Sequence, residues 1–251
     1  MTIPRFYHPE TMEPGQLVVL TGDHVHYARH VLRMRRKDHL DLIDGRGFEY
    51  HARIYGLNAD QLAVEILEKK RVRDPSVRIT LCQSLLKSDK MDFIVQRGVE
   101  LGVNTVIPFV SSRSIVRLTD ETAAARIRRW QNIAAEAARQ CGRSAIPEVR
   151  TVATYRDMLG MADKDQLKII FWEAEGEKTL RQVFQNKEGM EAGGFFFVVG
   201  PEGGFTGDEV FQAREADFLS VSIGKRVLKV ETAVLSILAI TQYERGIFRE
   251  G

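Results

Sequence analysis

Cysteine and proline are scarce in this chain, with two and seven residues among 251. Cys82 and Cys141 form neither a disulfide framework nor a Cys-x-x-Cys pair, so nothing in the cysteine count calls for an oxidising compartment. Both read as small buried hydrophobes. Long apolar runs are missing as well: Phe195 to Val199 and the Ser-interrupted Ala233 to Ile240 fall far short of the ~18 residues of a membrane span. The opening Met1-Thr2-Ile3-Pro4-Arg5 lacks the apolar stretch of a secretory leader, and the reading is of a soluble, cytoplasmic protein. Nor is there an excess of one charge. Lys plus Arg total 36 against 34 Asp plus Glu, a net charge of +2, which excludes a polybasic DNA-wrapping protein and a disordered tail. What is present is 44% hydrophobic residues, enough for a core in one large domain or two ordinary ones.

The residue types are unevenly spread. All six histidines fall within the first 51 residues, whereas Trp130 and Trp172 both come later. The charged stretch Glu68-Lys69-Lys70-Arg71-Val72-Arg73-Asp74-Pro75 offers little to a core and marks a joint, so the expected division is 1–73 and 74–251. Before the joint, Leu40 and Leu42, then Phe48, Tyr50, Ala52 and Ile54, then Leu62, Val64 and Ile66 alternate with polar or small neighbours. That period of two predicts an antiparallel meander closed into a small β-barrel. After the joint the pattern becomes α/β. Strand-like runs at 77–81, 105–110, 167–172, 195–199 and 219–223 alternate with helical stretches near 89–101, 121–141, 206–216 and 231–245, which predicts a largely parallel sheet.

The sharpest local signal is the apolar run Phe195 to Val199 ending in Gly200-Pro201-Glu202-Gly203-Gly204-Phe205. Thr206-Gly207-Asp208-Glu209 follows with the spacing of a capping box and fixes a helix start. A glycine-rich turn at a parallel strand's carboxyl end lets a ligand lie against backbone groups, although a plain tight turn has the same local pattern. The loop matches neither a P-loop nor Gly-x-Gly-x-x-Gly, and Glu202 would repel a phosphate; a nucleoside bearing positive charge or hydroxyls fits better. A second strand end runs through Ile223-Gly224-Lys225-Arg226-Val227-Leu228-Lys229-Val230-Glu231-Thr232 into a helix apolar on nearly every side, which implies burial against the sheet and against a second subunit. The bland alternatives are solvated loop charge for Arg226 and Lys229, and dipole compensation for Glu231.

In the helix near 121–141, Ile127, Trp130, Ala134, Ala137 and Cys141 share one face, while Arg129, Asn132, Glu136, Arg139, Gln140 and then Arg143 form a polar one. With Arg113 and Arg117 just ahead of it, that polar stripe suits phosphates, or simply solvent. Lys87 and Lys90 sit at the start of a helix whose Asp92, Gln96 and Glu100 share a stripe. Arg29, Arg33, Arg35, Arg36 and Lys37 place five fixed charges in nine residues, a footprint for a phosphate backbone. His26 and His30 are four apart but lie in no His-Glu-x-x-His, so no metal site is expected.

Taken together, the chain resembles the 16S ribosomal RNA uridine-N3 methyltransferase family of the SPOUT class. The likeness is carried by Lys87 to Asp92 with Gln96 to Val103, Arg129 to Ile133 through Glu136 to Gln140 and on to Arg143, Gly200 to Phe205, and Ile223 to Ala233. Pro4-Arg5-Phe6-Tyr7 and the His26 to Arg33 stretch extend it to the N-terminus. Two departures stand out, Ser111-Ser112-Arg113-Ser114 and Lys229-Val230, and both spare Arg113 and Arg226.

The resemblance implies a PUA-like β-barrel ahead of an α/β domain tied in a trefoil knot, working as a homodimer. It implies S-adenosylmethionine held by Trp172, Glu173, Val199, Gly200, Pro201, Glu202, Gly203, Gly204, Ile223, Gly224, Arg226, Val227, Leu228 and Thr232. Arg226 would stabilise charge on the uracil and Glu231, or a water, would accept the proton. Contacts to 16S rRNA of the small ribosomal subunit would come from Arg5, Arg29, Arg33, Arg35, Lys87, Lys90, Arg113, Arg139, Gln140 and Arg143. The competing readings are another knotted methyltransferase, acting on tRNA or a ribose 2′-hydroxyl, and a non-catalytic RNA-binding module.

Overall fold

The structure is a computed structural model and describes residues 3–72, 77–116 and 119–245. Contacts divide the chain into two units, Met1–Asp74 with Ala138–Ile146, and Pro75–Ala137 with Pro147–Gly251. Arg73, Asp74 and Pro75 of the expected joint, and Arg117, lie outside the described residues.

The first unit is a five-stranded sheet, β1 (Arg5–Tyr7), β2 (Leu17–Thr21), β3 (His39–Ile43), β4 (Phe48–Leu57) and β5 (Gln61–Arg71), in the order β1-β3-β4-β5-β2. A short helix α1 (Asp23–His26) runs directly into a π-helical turn at Tyr27–Val31. The meander β3-β4-β5 is antiparallel, and β1 joins it parallel to β3. Period-two alternation sends Leu40, Leu42, Tyr50, Ala52, Ile54, Leu62, Val64 and Ile66 into one core, each at most 1% exposed. The β3-β4 turn is fixed by buried Asp44, whose Oδ1 accepts from the amides of Arg46 and Phe48 while Oδ2 accepts from the Tyr50 hydroxyl. Gly45 and Gly47 supply its left-handed backbone at φ +74° and +93°.

Two features differ from expectation. Glu68 to Arg71 is the end of β5 and not linker, because its long cations cover aromatic rings: Lys69 lies 5.2 Å from the Phe48 centroid and Arg71 5.9 Å from the same ring. The segment Ala138–Ile146 groups with the first unit, because Arg5 donates to the Gly142 carbonyl at 2.7 Å and Ser144 to Glu49 at 2.7 Å. A single cut in sequence has no place for a segment that returns.

In the second unit β6 (Arg78–Ser84), β7 (Thr105–Val110), β8 (Glu148–Val149), β9 (Ala153–Thr154), β10 (Gln166–Phe171), β11 (Gly194–Val199) and β12 (Leu219–Val221) form one parallel sheet. Its order is β12-β10-β11-β6-β7-β8, with β9 also on β7. Helices α2 (Ser88–Glu100), α3 (Asp120–Cys141), α4 (Tyr155–Leu159), α5 (Leu180–Gln185), α6 (Lys187–Glu191), α7 (Gly207–Glu215) and α8 (Val230–Glu244) connect the strands. The run Phe195 to Val198 is fully buried because β11 lies inside the sheet with side chains covered on both faces. Each of these phenylalanines contributes on the order of 2–3 kcal/mol by burial.

Trp130, Ala134 and Ala137 are buried as their spacing requires, and the Trp130 indole donates to Asp92 at 3.1 Å. Burial pushes the Cys82 thiol well up, which leaves it inert. Cys141 is exposed, contrary to the reading of it as a buried hydrophobe, because it closes the last turn of α3. No helix among the described residues is long and apolar enough to cross a membrane, and no three or more of their His, Cys, Asp or Glu side chains are grouped so as to hold a metal ion.

Candidate functional site

Three neighbouring strands, β12, β10 and β11, end side by side, and their carboxyl ends open into a cleft of about 200 Å³. Phe171, Trp172 and Glu173 follow from β10, Val199 to Phe205 from β11, and Val221 to Leu228 from β12, while Val230 and Ala233 come from the first turn of α8. Ligand sites of open parallel sheets occupy this position.

The β11 loop is built for close approach. Gly204 adopts φ +67°, and a Cβ there would lie 2.0 Å from Glu173 Oε1, so only glycine admits that carboxylate. Gly200 packs against the Phe205 ring, where an added Cβ would come within 3.1 Å. The capping box forms as its spacing predicts: Thr206 Oγ1 accepts from the Glu209 amide at 3.2 Å, and Glu209 Oε2 accepts from the Thr206 amide at 2.9 Å. Glu209 is 3% exposed, and its other oxygen accepts from the Ser112 amide at 2.8 Å, which ties the loop after β7 to the same point. Tyr155 donates to the Glu209 carbonyl; burial, then the charge of Glu209, pushes its phenol well above the ordinary range.

The expected pocket residues all line this cleft except Thr232, which is exposed. A helix brings Val230 and Ala233, three apart, onto one face and turns Thr232 away from it. Phe171, Phe205, Val221, Ser222, Lys225, Val230 and Ala233 complete the lining.

Arg226 is exposed, and among the described residues no carboxylate pairs with it. Glu231, near the start of α8, lies 3.6 Å from Lys90 Nζ, and its Oε2 is buried without a hydrogen-bond partner. Lys90 also donates to Glu202 at 3.0 Å, and that hydrogen bond holds its ammonium above the usual lysine range.

Of the residues expected to meet RNA, several make contacts within the protein. Lys90 is the bridge just described. Arg113 donates to the carbonyl of Gly203 at 2.8 Å and so braces the pocket loop. Arg5 pairs with Glu49 at 3.0 Å. Arg29 makes one weak bond to the Asn58 carbonyl at 3.3 Å, and with Arg33 and Arg35 it lines an open basic cleft in the first unit. Lys87 is exposed at the start of α2. Arg139 and Gln140 are exposed at the end of α3, with half-buried Arg143 just beyond, and all three make other interactions.

Sequence reasoning missed Gln83. This fully buried side chain at the end of β6 donates to the carbonyls of Gly200 at 3.2 Å and Ser84 at 3.0 Å, and so holds the first residue of the β11 loop. A lone glutamine in an apolar run carries no signal of that contact.

Comparison with known proteins returns a consistent family. Residues 73–242 match the profile of an RNA methyltransferase domain, and residues 20–67 that of an RNA methyltransferase PUA domain. The crystal structure of a ribosomal RNA small subunit methyltransferase E from Neisseria gonorrhoeae, bound to S-adenosyl methionine, superposes with a TM-score of 0.83 at 37% identity, covering 98% of each chain. A putative methyltransferase from Legionella pneumophila, with the bound cofactor SAM, gives a TM-score of 0.81 at 32% identity over 97% of this chain and 98% of that one. In Bacillus subtilis, a ribosomal RNA small subunit methyltransferase E is 30% identical over 96% of this chain and 95% of its own.

Proposed function

We propose that this chain, which belongs to the ribosomal RNA small subunit methyltransferase E family, transfers a methyl group from S-adenosylmethionine to N3 of a uridine in 16S rRNA of the small ribosomal subunit. The observation that carries the reading is the cleft at three adjacent strand ends, walled by Phe171, Val199, Val221, Leu228, Val230 and Ala233 and edged by Glu173 and Glu202. Apolar walls suit an adenosine, backbone exposed by glycine suits its polar edges, and the Glu173 carboxylate, which no ion pair among the described residues compensates, suits a cationic donor. The residues present therefore fit the cofactor.

When bound, S-adenosylmethionine supplies an electrophilic methyl group on a cationic sulfur. The chain aligns the uracil ring and manages its charge. Arg226, solvent-facing and without a carboxylate partner, lies at the pocket wall, where it supports the negative charge that develops as N3 loses its proton. Glu231, or a water beside it, accepts that proton. Val199 to Gly204 and Ile223 to Leu228 hold the donor. The same reading includes a trefoil knot in the C-terminal part, implied by the family resemblance, a homodimer as the working unit, and action in the cytoplasm.

The test is methyl transfer to small-subunit RNA, with the modified nucleotide mapped by mass spectrometry. Arg226→Ala is expected to lose about 100-fold in kcat, the scale of one lost charge-stabilising donor, a loss that persists at saturating cofactor and so exceeds any change in cofactor affinity read by calorimetry. Full turnover in that variant would remove Arg226 from the mechanism. A methyl group found on a ribose or on tRNA would redirect the substrate while leaving the cofactor site in place.

A further inference from the structure

A cleft of the first unit has a composition that the methyl-donor pocket does not explain. It is lined by Arg29, Arg33, Arg35 and Arg36, with Tyr55 and Gly56 on its wall, and no carboxylate lines it. None of these four guanidiniums has an ion-pair partner among the described residues, although the chain as a whole is nearly charge-balanced. Four exposed guanidiniums without an ion-pair partner around one concavity give it a positive field that attracts an anion.

The backbone is shaped to build this surface. The chain leaves the π-helical turn at Tyr27–Val31, passes Arg33 in the left-handed region at φ +52° and Lys37 at φ +77°, and is fastened to β4 by Lys37 N–H to the Ile54 carbonyl and Ile54 N–H to the Asp38 carbonyl. A non-glycine residue at positive φ costs about 1 kcal/mol and persists only where its surroundings hold it. On β4 the ladder to β5 slips between Ile54 and Gly56, since Ile54 faces Val64 and Gly56 faces Ala63. Tyr55 is the extra residue of this bulge and is turned outward. It remains 54% exposed although Arg36 lies over its ring at 5.7 Å. Beside it, Gly56 leaves open space, since a Cβ there would meet nothing within 4 Å.

We propose that this cleft is a binding site for one unpaired RNA nucleotide and its flanking phosphates, with the base stacked on Tyr55 and the phosphates held by Arg29, Arg33, Arg35 and Arg36. A duplex would use the arginines but would keep its bases stacked inside the helix, away from the ring. An exposed aromatic next to a guanidinium is the arrangement that takes a splayed base from any sequence. Since the wall presents little to read base edges, the site serves as a sequence-tolerant anchor, and it acts on affinity for RNA rather than on the chemical step. The inference rests on the reading of the chain as an RNA-acting enzyme, in which Arg29, Arg33 and Arg35 already meet RNA, and deepens it by assigning an unpaired nucleotide to the cleft and adding Tyr55 and Arg36 to its grip.

The experiment compares an unpaired oligoribonucleotide with a hairpin of the same composition by fluorescence anisotropy at fixed salt, using the full chain. Tyr55→Ala is expected to weaken binding of the unpaired RNA by about ten-fold, the scale of one base stack, while Tyr55→Phe stays within about two-fold. Gly56→Val, which meets open space and suits a strand, fills the cleft and should weaken the same ligand without unfolding the protein. Arg36→Met should lower the salt slope by about 0.7, one single-strand phosphate contact. S-adenosylmethionine affinity by calorimetry should be the same in all four variants. Unchanged unpaired-RNA binding in Tyr55→Ala and Gly56→Val overturns the inference and leaves the methyltransferase reading standing. Equal losses on hairpin and unpaired RNA overturn it in favour of a phosphate grip. A wild-type chain that binds neither RNA yet binds S-adenosylmethionine overturns it together with the RNA-acting reading.

Discussion

Lys90 stands between two carboxylates of the candidate active site, 3.0 Å from Glu202 on the β11 loop and 3.6 Å from Glu231 on α8. An ammonium so placed compensates two negative charges and fixes their positions, and it has little left to offer a phosphate. Its sequence context reads as an RNA contact; its geometry reads as a strut. Lys90→Met is therefore expected to lower kcat/KM about ten-fold, the size of a charge-assisted contact partly screened by water. The salt slope of RNA binding should stay as it is, and Lys90→Arg should restore part of the activity. A slope reduced by about one with kcat preserved would return Lys90 to the phosphate-contacting set. Arg113 follows the same logic, because its bond to the Gly203 carbonyl already commits one arm of the guanidinium.

At the scale of elements, the β11 loop is held from three sides: by its own capping box, by Gln83 beneath Gly200, and by Arg113 on Gly203. The Thr206→Ala variant removes one accepted amide bond and should cost about 1 kcal/mol, close to the usual value for an N-cap. In a chain of this length that is a fall of roughly 2–4 °C in Tm. Calorimetric unfolding checks it, and an unchanged Tm would mean that the Glu209 carboxylate, already tied to Ser112, holds the loop alone. Thr206 and Glu209 were legible because a cap is local: two residues, one spacing, one hydrogen-bond pattern. The β11 strand was legible for a similar reason, as a continuous apolar run has few places to go except the middle of a sheet. Gln83, Tyr55 and Thr232 were not. Gln83 acts through a partner more than a hundred residues away. Tyr55 owes its exposure to a bulge that belongs to two strands at once, and Thr232 lies one helical step off the lining face. Helices α5 and α6, six and five residues long, are too short for periodicity to register, and they are fixed by a Thr179–Gln182 capping box and by packing.

For the whole molecule the remaining expectation is association. Helices α2 and α8 pack together, with Gln242 of α8 donating to the Leu101 carbonyl at 3.0 Å. Val234, Ile237 and Leu238 are buried on the inward side of α8, yet Ile240 and Tyr243 remain 38% and 63% exposed, and Phe93 of α2 is 38% exposed. Large apolar side chains left outside on two adjoining helices favour a second copy as the covering surface. A carboxylate placed among them would have to be desolvated on association. Phe93→Asp is therefore expected to move the protein from dimer to monomer in sedimentation equilibrium, weakening association by at least about ten-fold, while the isolated chain keeps its fold by circular dichroism. Since the methyl-donor cleft is built from the strand ends of one chain, the monomeric variant should retain measurable S-adenosylmethionine binding and lose methyl transfer to RNA. A wild-type chain that stays monomeric at tens of micromolar removes the dimer from the proposal. A monomeric variant with full turnover would show that one copy of the chain assembles the whole site.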